Sequence, residues 1–190
     1  MLEESGLRAE ILPELKWTEH IERSLQMLEA GRAPDFAAGV LLHETHPSGV
    51  QSIAERLKFS RAETDHMAAL VENLPEFPRV RGMSQMRLKR FFRLWRFEDH
   101  LELARIHATA AGEDLENYRY AARKRQEWTR NDIWPPPLIT GDDLIAMGFT
   151  PGPQFKEILT RVEDEQLEGR LESRSDAMEF VCTHFGGKPA

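Results

Sequence analysis

The chain has 190 residues, 41% of them hydrophobic and 30% charged. These proportions suit a water-soluble globular protein of one domain or two small helical subdomains, long enough to bury a real core. No apolar run approaches the roughly 18 residues that a membrane span needs, and the acidic start MLEESGLRAEI lacks the basic and apolar parts of a signal peptide. One cysteine, Cys182, excludes an internal disulfide, suits a reducing cytoplasm and is expected to act as a small buried hydrophobe. The net charge of −7 argues against binding nucleic acid through a general positive field. Any such binding has to use a local patch.

The periodicity is helical almost throughout, with no convincing alternating strand, so the expected class is all-α. Helices are expected near 3–16, 18–30, 35–44, 48–58, 61–74, 84–95, 98–111, 114–130, 141–148, 153–168 and 174–185. Ser60 with Glu63, Thr140 with Asp143, and Ser173 with Asp176 are spaced as capping boxes, and Pro34 and Pro153 suit the first turn of a helix. The prolines 135–137 cannot continue a helix. They suggest a helical body of about eight helices over 1–134 and a three-helix tail over 138–190.

Between Arg79 and Arg96 the chain carries seven basic residues and no acid. Leu88, Phe91, Phe92 and Trp95 share one face of the helix expected there and should lie in the core. Arg87, Lys89, Arg90 and Arg93 lie around the other side and are candidates for contacting phosphate. In the tail, Gly152 precedes a helix whose first turns carry Lys156. Free N–H groups at such a start can hold a phosphate, so both are weaker candidates. The tail is otherwise acidic, with ten Asp or Glu against five Lys or Arg from residue 141 onward.

His20, His43 and His46 are histidines that could converge, with Glu44 beside them, although their spacing matches no zinc-protease motif. No glycine-rich phosphate loop and no nucleophile elbow is present, and no Asp-x-Asp pair is placed for phosphoryl transfer. Neither a catalytic residue nor a cofactor is expected.

The tail carries Thr140-Gly141-Asp142-Asp143-Leu144, then Gly148-Phe149-Thr150-Pro151-Gly152-Pro153, a helix, and Gln166-Leu167-Glu168-Gly169. These elements, in this order, resemble the C-terminal signature of bacterial tRNA nucleotidyltransferases and the related poly(A) polymerases. The resemblance extends upstream through SIAERLKFSRAE, MRLKRFFR, GEDLENYRY and ESGLRAEILPEL, and so covers most of residues 4–181.

By this resemblance the chain corresponds to the non-catalytic, RNA-binding part of the family, without the head that binds metal and nucleotide. In relatives that keep an HD-type subdomain, a histidine, a His-Asp pair and further residues hold divalent metal. Here His20 matches the first histidine and His43-Glu44 takes the place of the pair. Further on, Ala104, His107 and Gly112 replace a histidine, an aspartate and a second histidine. The element is therefore expected to be degenerate, with too few ligands to close a site, and His20, His43 and Glu44 as its only metal candidates.

The function the resemblance implies is a cytoplasmic RNA-binding or scaffold module for tRNA or another structured RNA. A second reading is a protein-interaction module that self-associates or docks on a separate nucleotidyltransferase head. A residual metal-dependent phosphohydrolase is the least favoured.

Overall fold

The computed structural model describes residues 12–186, and the described residues form helices and turns with no strand. The helices are α1 (Glu19–Gln26), α2 (Pro34–Leu42), α3 (Pro47–Arg56), α4 (Arg61–Asn73), α5 (Gln85–Phe91), α6 (Phe97–Ala111), α7 (Glu116–Glu127), α8 (Arg130–Ile133), α9 (Gly141–Ala146), α10 (Pro153–Leu167) and α11 (Arg174–Phe185). A 3-10 segment, Leu74–Gly82, joins α4 to the loop before α5. Pro75 and Pro78 explain its tighter winding, because they remove donors that an α-helix would need.

The all-α expectation holds. The helix expected near 3–16 falls mostly outside the described residues, and within them residues 13–14 form a turn. The three capping boxes are present, with the carboxylates of Glu63, Asp143 and Asp176 accepting from the backbone N–H of Ser60, Thr140 and Ser173. A fourth joins Thr129 to Asp132. Pro34 and Pro153 begin α2 and α10.

The described residues divide into two compact units. The first comprises residues up to Arg81 and Trp95–Arg123, and the second Gly82–Leu94 and Lys124 onward. Prolines 135–137 lie inside the second unit, and the basic helix α5 belongs with the tail rather than with the helices before it.

In the first unit, α2 and α3 pack on α4, and α1 packs on α2 and α6. Ile21, Leu42, Val50, Ile53 and Met67 are almost wholly buried between them. Gly39 permits the close approach of α2 to α4, since a Cβ there would stand 2.7 Å from Leu70 Cδ1. In the second unit, α10 packs on α5, α9 and α11, around Leu144, Ile158, Val162 and Val181. Cys182 is half-buried against this core.

Trp95 departs from expectation. Leu88, Phe91 and Phe92 are buried, but Trp95 is 62% exposed. Helix α5 ends at Phe91 with Phe92 as its cap. The helical spacing that would align Trp95 with the stripe therefore stops before reaching it.

The next residue, Arg96, sits at φ 54°, in the left-handed region that non-glycine residues rarely adopt. Its guanidinium reaches Asp35 Oδ2 at 2.6 Å and Asp99 Oδ2 at 2.7 Å, and His66 Nδ1 lies 2.7 Å from the same Asp35 oxygen. Burial works to raise the Asp35 pKa, but the hydrogen bond from His66 and the charge of Arg96 hold it below the usual range. Arg96, His66 and two acids thus link α2, α4 and the start of α6.

His100, one residue after Asp99, is 1% exposed. Burial, then the neighbouring His66, lowers its pKa to about 4, against a smaller opposing effect from the Trp95 backbone.

Two outcomes follow for the first unit. Arg96→Ala leaves Asp35 buried without its cation and should cost about 2 kcal/mol in urea unfolding. His100 takes up a proton near its ordinary value when unfolded but only near pH 4 when folded. Its contribution is intact above about pH 6.5 and is lost, up to roughly 3 kcal/mol, as pH falls towards 4. Urea midpoints measured across that window should fall less steeply in His100→Gln.

Candidate metal centre and the basic helix

Thr18 caps α1 by accepting the N–H of Ile21 at 3.1 Å, and its hydroxyl donates to Glu44 Oε2 at 2.8 Å. Glu44 stands two residues beyond the end of α2, so its carboxylate meets the N-terminus of α1, where the helix dipole favours negative charge. Its other oxygen lies 2.7 Å from His20 Nδ1. Burial tends to raise the Glu44 pKa, but the hydrogen bonds from His20 and Thr18 hold it below the usual carboxylate range.

His20 on α1, His43 at the end of α2 and His107 on α6 meet here. Their ring centroids lie 5.0 Å (His20–His43), 4.6 Å (His20–His107) and 5.2 Å (His43–His107) apart, with the rings edge to face. One ligating nitrogen from each falls within 4.8 Å of the others. His43 is 6% exposed, and its Nδ1 lies 2.6 Å from the Val40 carbonyl oxygen. That contact leaves Nε2 as the other ring nitrogen, buried without a hydrogen-bond partner among the described residues.

Burial lowers the pKa of His43, and burial with the nearby His43 and His20 lowers that of His107 to about 4. Burial therefore favours the neutral form of both rings. A cavity of about 370 Å³ opens beside the cluster, lined by His43, Glu44 and His107 together with Asp114, Asn117 and Tyr118.

Two of the sequence candidates, His20 and His43, are brought together with Glu44. His46 is not. It caps α3, its Nδ1 2.9 Å from Ser48 Oγ. The third member is His107, counted from sequence as a lost aspartate. Only the packing of α1 on α6 brings it to His20, 87 residues away in the chain, and no local spacing could signal that.

The basic helix α5 is bound up with its own unit. Lys89 is 7% exposed and donates to the Leu167 carbonyl at 2.9 Å, at the C-terminal end of α10, where a cation is favoured. Burial lowers its pKa. Arg90 pairs with Glu163 at 3.0 Å and Asp164 at 2.6 Å. Arg93 pairs with Glu163 at 2.7 Å and donates to the Ile133 carbonyl at 2.8 Å. Arg87 and Lys156 are exposed, as is Gly152, whose φ of 174° is ordinary extended backbone.

In the same unit, Lys156 and Arg161 line a cavity of about 610 Å³ with the acids Glu157 and Asp164 and with Phe180, His184 and Phe185, and Arg161 pairs with Glu165 at 3.0 Å. The Phe180 and His184 rings stack there, 4.1 Å between centroids.

Residues 36–181 match the family described as tRNA nucleotidyltransferase domain 2, and the chain belongs to that family. It is 34% identical over 91 residues to an A-adding tRNA nucleotidyltransferase of Halalkalibacterium halodurans, a match covering 46% of this chain and 19% of that protein. It is 44% identical over 43 residues to an A-adding tRNA nucleotidyltransferase of Geobacter sulfurreducens, covering 23% of this chain and 5% of that protein. The chain thus spans a minor part of the curated relatives it matches. No solved structure matches it. No helix among the described residues is long and apolar enough to cross a membrane.

Glu44 closes the cluster from one side by engaging both Thr18 and His20. Glu44→Ala strips both partners and should lower stability by about 1–2 kcal/mol in chemical denaturation, with helical content retained in far-UV circular dichroism.

Proposed function

We propose that this chain is a non-catalytic, RNA-contacting module that holds structured RNA of the tRNA class. Family membership over residues 36–181 supports the reading, as does the naming of both matched relatives as tRNA nucleotidyltransferases. The observation that carries it is the second unit's cavity, where Lys156 stands beside stacked and adjacent aromatic rings, although Glu157 and Asp164 also line it and Arg161 pairs with Glu165 at 3.0 Å. A phosphate would sit at Lys156, and an unstacked base against an aromatic face.

On this reading Lys156 is the principal phosphate contact and Arg87 a further exposed one, while Gly152 brings backbone near the start of α10. Lys89, Arg90 and Arg93 contribute indirectly, by fixing α5 on α10 through the pairs described above. With a net charge of −7, binding has to be local and strongly weakened by salt.

Filter binding with tRNA at low salt tests this, against an equally acidic control protein. Lys156→Ala should weaken binding and lower the slope of log affinity against log salt by about one. Binding no tighter than the control's refutes the proposal.

A further inference from the structure

We infer that the groove between α10 and α11 selects an unpaired guanine, whose Watson–Crick edge meets the Glu157 carboxylate while its phosphate sits at Lys156. The inference rests on the RNA-contacting reading proposed above for the same cavity and adds which base that cavity takes.

The groove is built from one face of each helix. Lys156, Glu157, Thr160 and Asp164 follow the three- and four-residue spacing of a single face of α10. From Lys156 to Asp164 that face runs about 12 Å, at 1.5 Å per residue. Across it stand Phe180 and His184, one turn apart on α11, and Phe185.

The aromatic side supplies a stacking surface without a preference. Phe180 and His184 stack at 4.1 Å with 28° between their planes, and Phe185 stands 6.5 Å from Phe180. His184 Nδ1 donates to the Phe180 carbonyl at 2.9 Å, which holds the ring in place. Every base has a π face, so stacking here tolerates all four.

Selection falls to the polar lining. Arg161 is paired with Glu165 at 3.0 Å, and Asp164 has one oxygen on Arg90 at 2.6 Å. Glu157 is exposed and makes no ion pair or hydrogen bond among the described residues. An ionised carboxylate only accepts hydrogen bonds, and it repels a phosphodiester backbone. A strand anchored at Lys156 therefore brings a base edge, not a second phosphate, to Glu157. Guanine carries two adjacent donors there, N1–H and the N2 amino group, which one carboxylate takes together. Adenine and cytosine set a ring-nitrogen acceptor beside their amino group, and uracil flanks its single N–H with two carbonyls. Each of those edges turns a lone pair towards a carboxylate oxygen.

The test is fluorescence anisotropy with the full chain at low salt. The probes are short single-stranded RNAs, all uridine except for a central G, A, C or U, and filter binding of tRNA runs beside them. The G probe should bind at least about tenfold more tightly than the other three. Glu157→Gln replaces one acceptor with a donor and should bring the four probes within about twofold of one another. Lys156→Ala should weaken all four together and leave the preference for G. Both positions are exposed, and circular dichroism checks that both variants are folded. Equal affinity for the four probes, or binding of none of them while tRNA still binds, overturns the inference and leaves the RNA reading standing. A preference for G that folded Glu157→Gln retains overturns it too. Failure to bind tRNA as well as the probes refutes the RNA reading and the inference with it.

Discussion

Desolvation of imidazoles is the constraint around which the first unit is built. Where α1, α2 and α6 meet, three histidine rings pack edge to face among apolar side chains, and nearby His66 and His100 are almost wholly buried. A charged imidazole in such surroundings needs a compensating anion within reach. Among the described residues, Glu44 faces His20, and Asp35 with Asp99 faces His66. At His43 and His107 burial outweighs the nearby charge of Glu44, and at His100 burial likewise holds the pKa down. The helices of this unit therefore pack around side chains that have to stay neutral, and the same neutrality leaves nitrogen lone pairs available.

In the second unit the balance is reversed. The acid-free basic run meets the acidic end of α10, and the ion pairs of Arg90 and Arg93 with Glu163 and Asp164 use up much of its charge. Each pair is partly exposed and individually worth little. Their joint effect, with buried Lys89 on the Leu167 carbonyl, is to orient α5. The excess of acid in the tail, which argues against RNA contact there, is partly cancelled inside the unit. Exposed acids remain, Glu157, Glu172 and Glu179 among them, so a phosphate contact has to fall on an individual side chain such as Lys156.

The sequence foretold features that are local in the chain. Capping boxes span three residues and depend on nothing distant, so Ser60, Thr140 and Ser173 could be identified at once. Helix ends were less legible. The aromatic stripe predicted a buried Trp95, but α5 stops at Phe91, and Arg96 beyond it turns into a left-handed conformation with its guanidinium on Asp35 and Asp99. That turn is fixed by a residue 61 positions away. The 3-10 segment through Pro75 and Pro78 was likewise hidden, since helical periodicity alone does not separate the two windings.

The histidine cluster shows why resemblance and packing have to be read together. Aligned against relatives that keep a metal-binding subdomain, His107 counts as an aspartate lost. Placed by α6 beside His20 and His43, it is instead a donor replaced by another donor, with nitrogen in place of oxygen. Such a change alters which ion the position prefers more than whether it can bind one. A carboxylate at 107 would also set a second anion beside Glu44, and would need either a cation or a raised pKa to be buried there. Imidazole avoids that cost because it can be buried neutral. The substitution is therefore compatible with a folded unit whether or not metal is bound, which a second uncompensated carboxylate would not be.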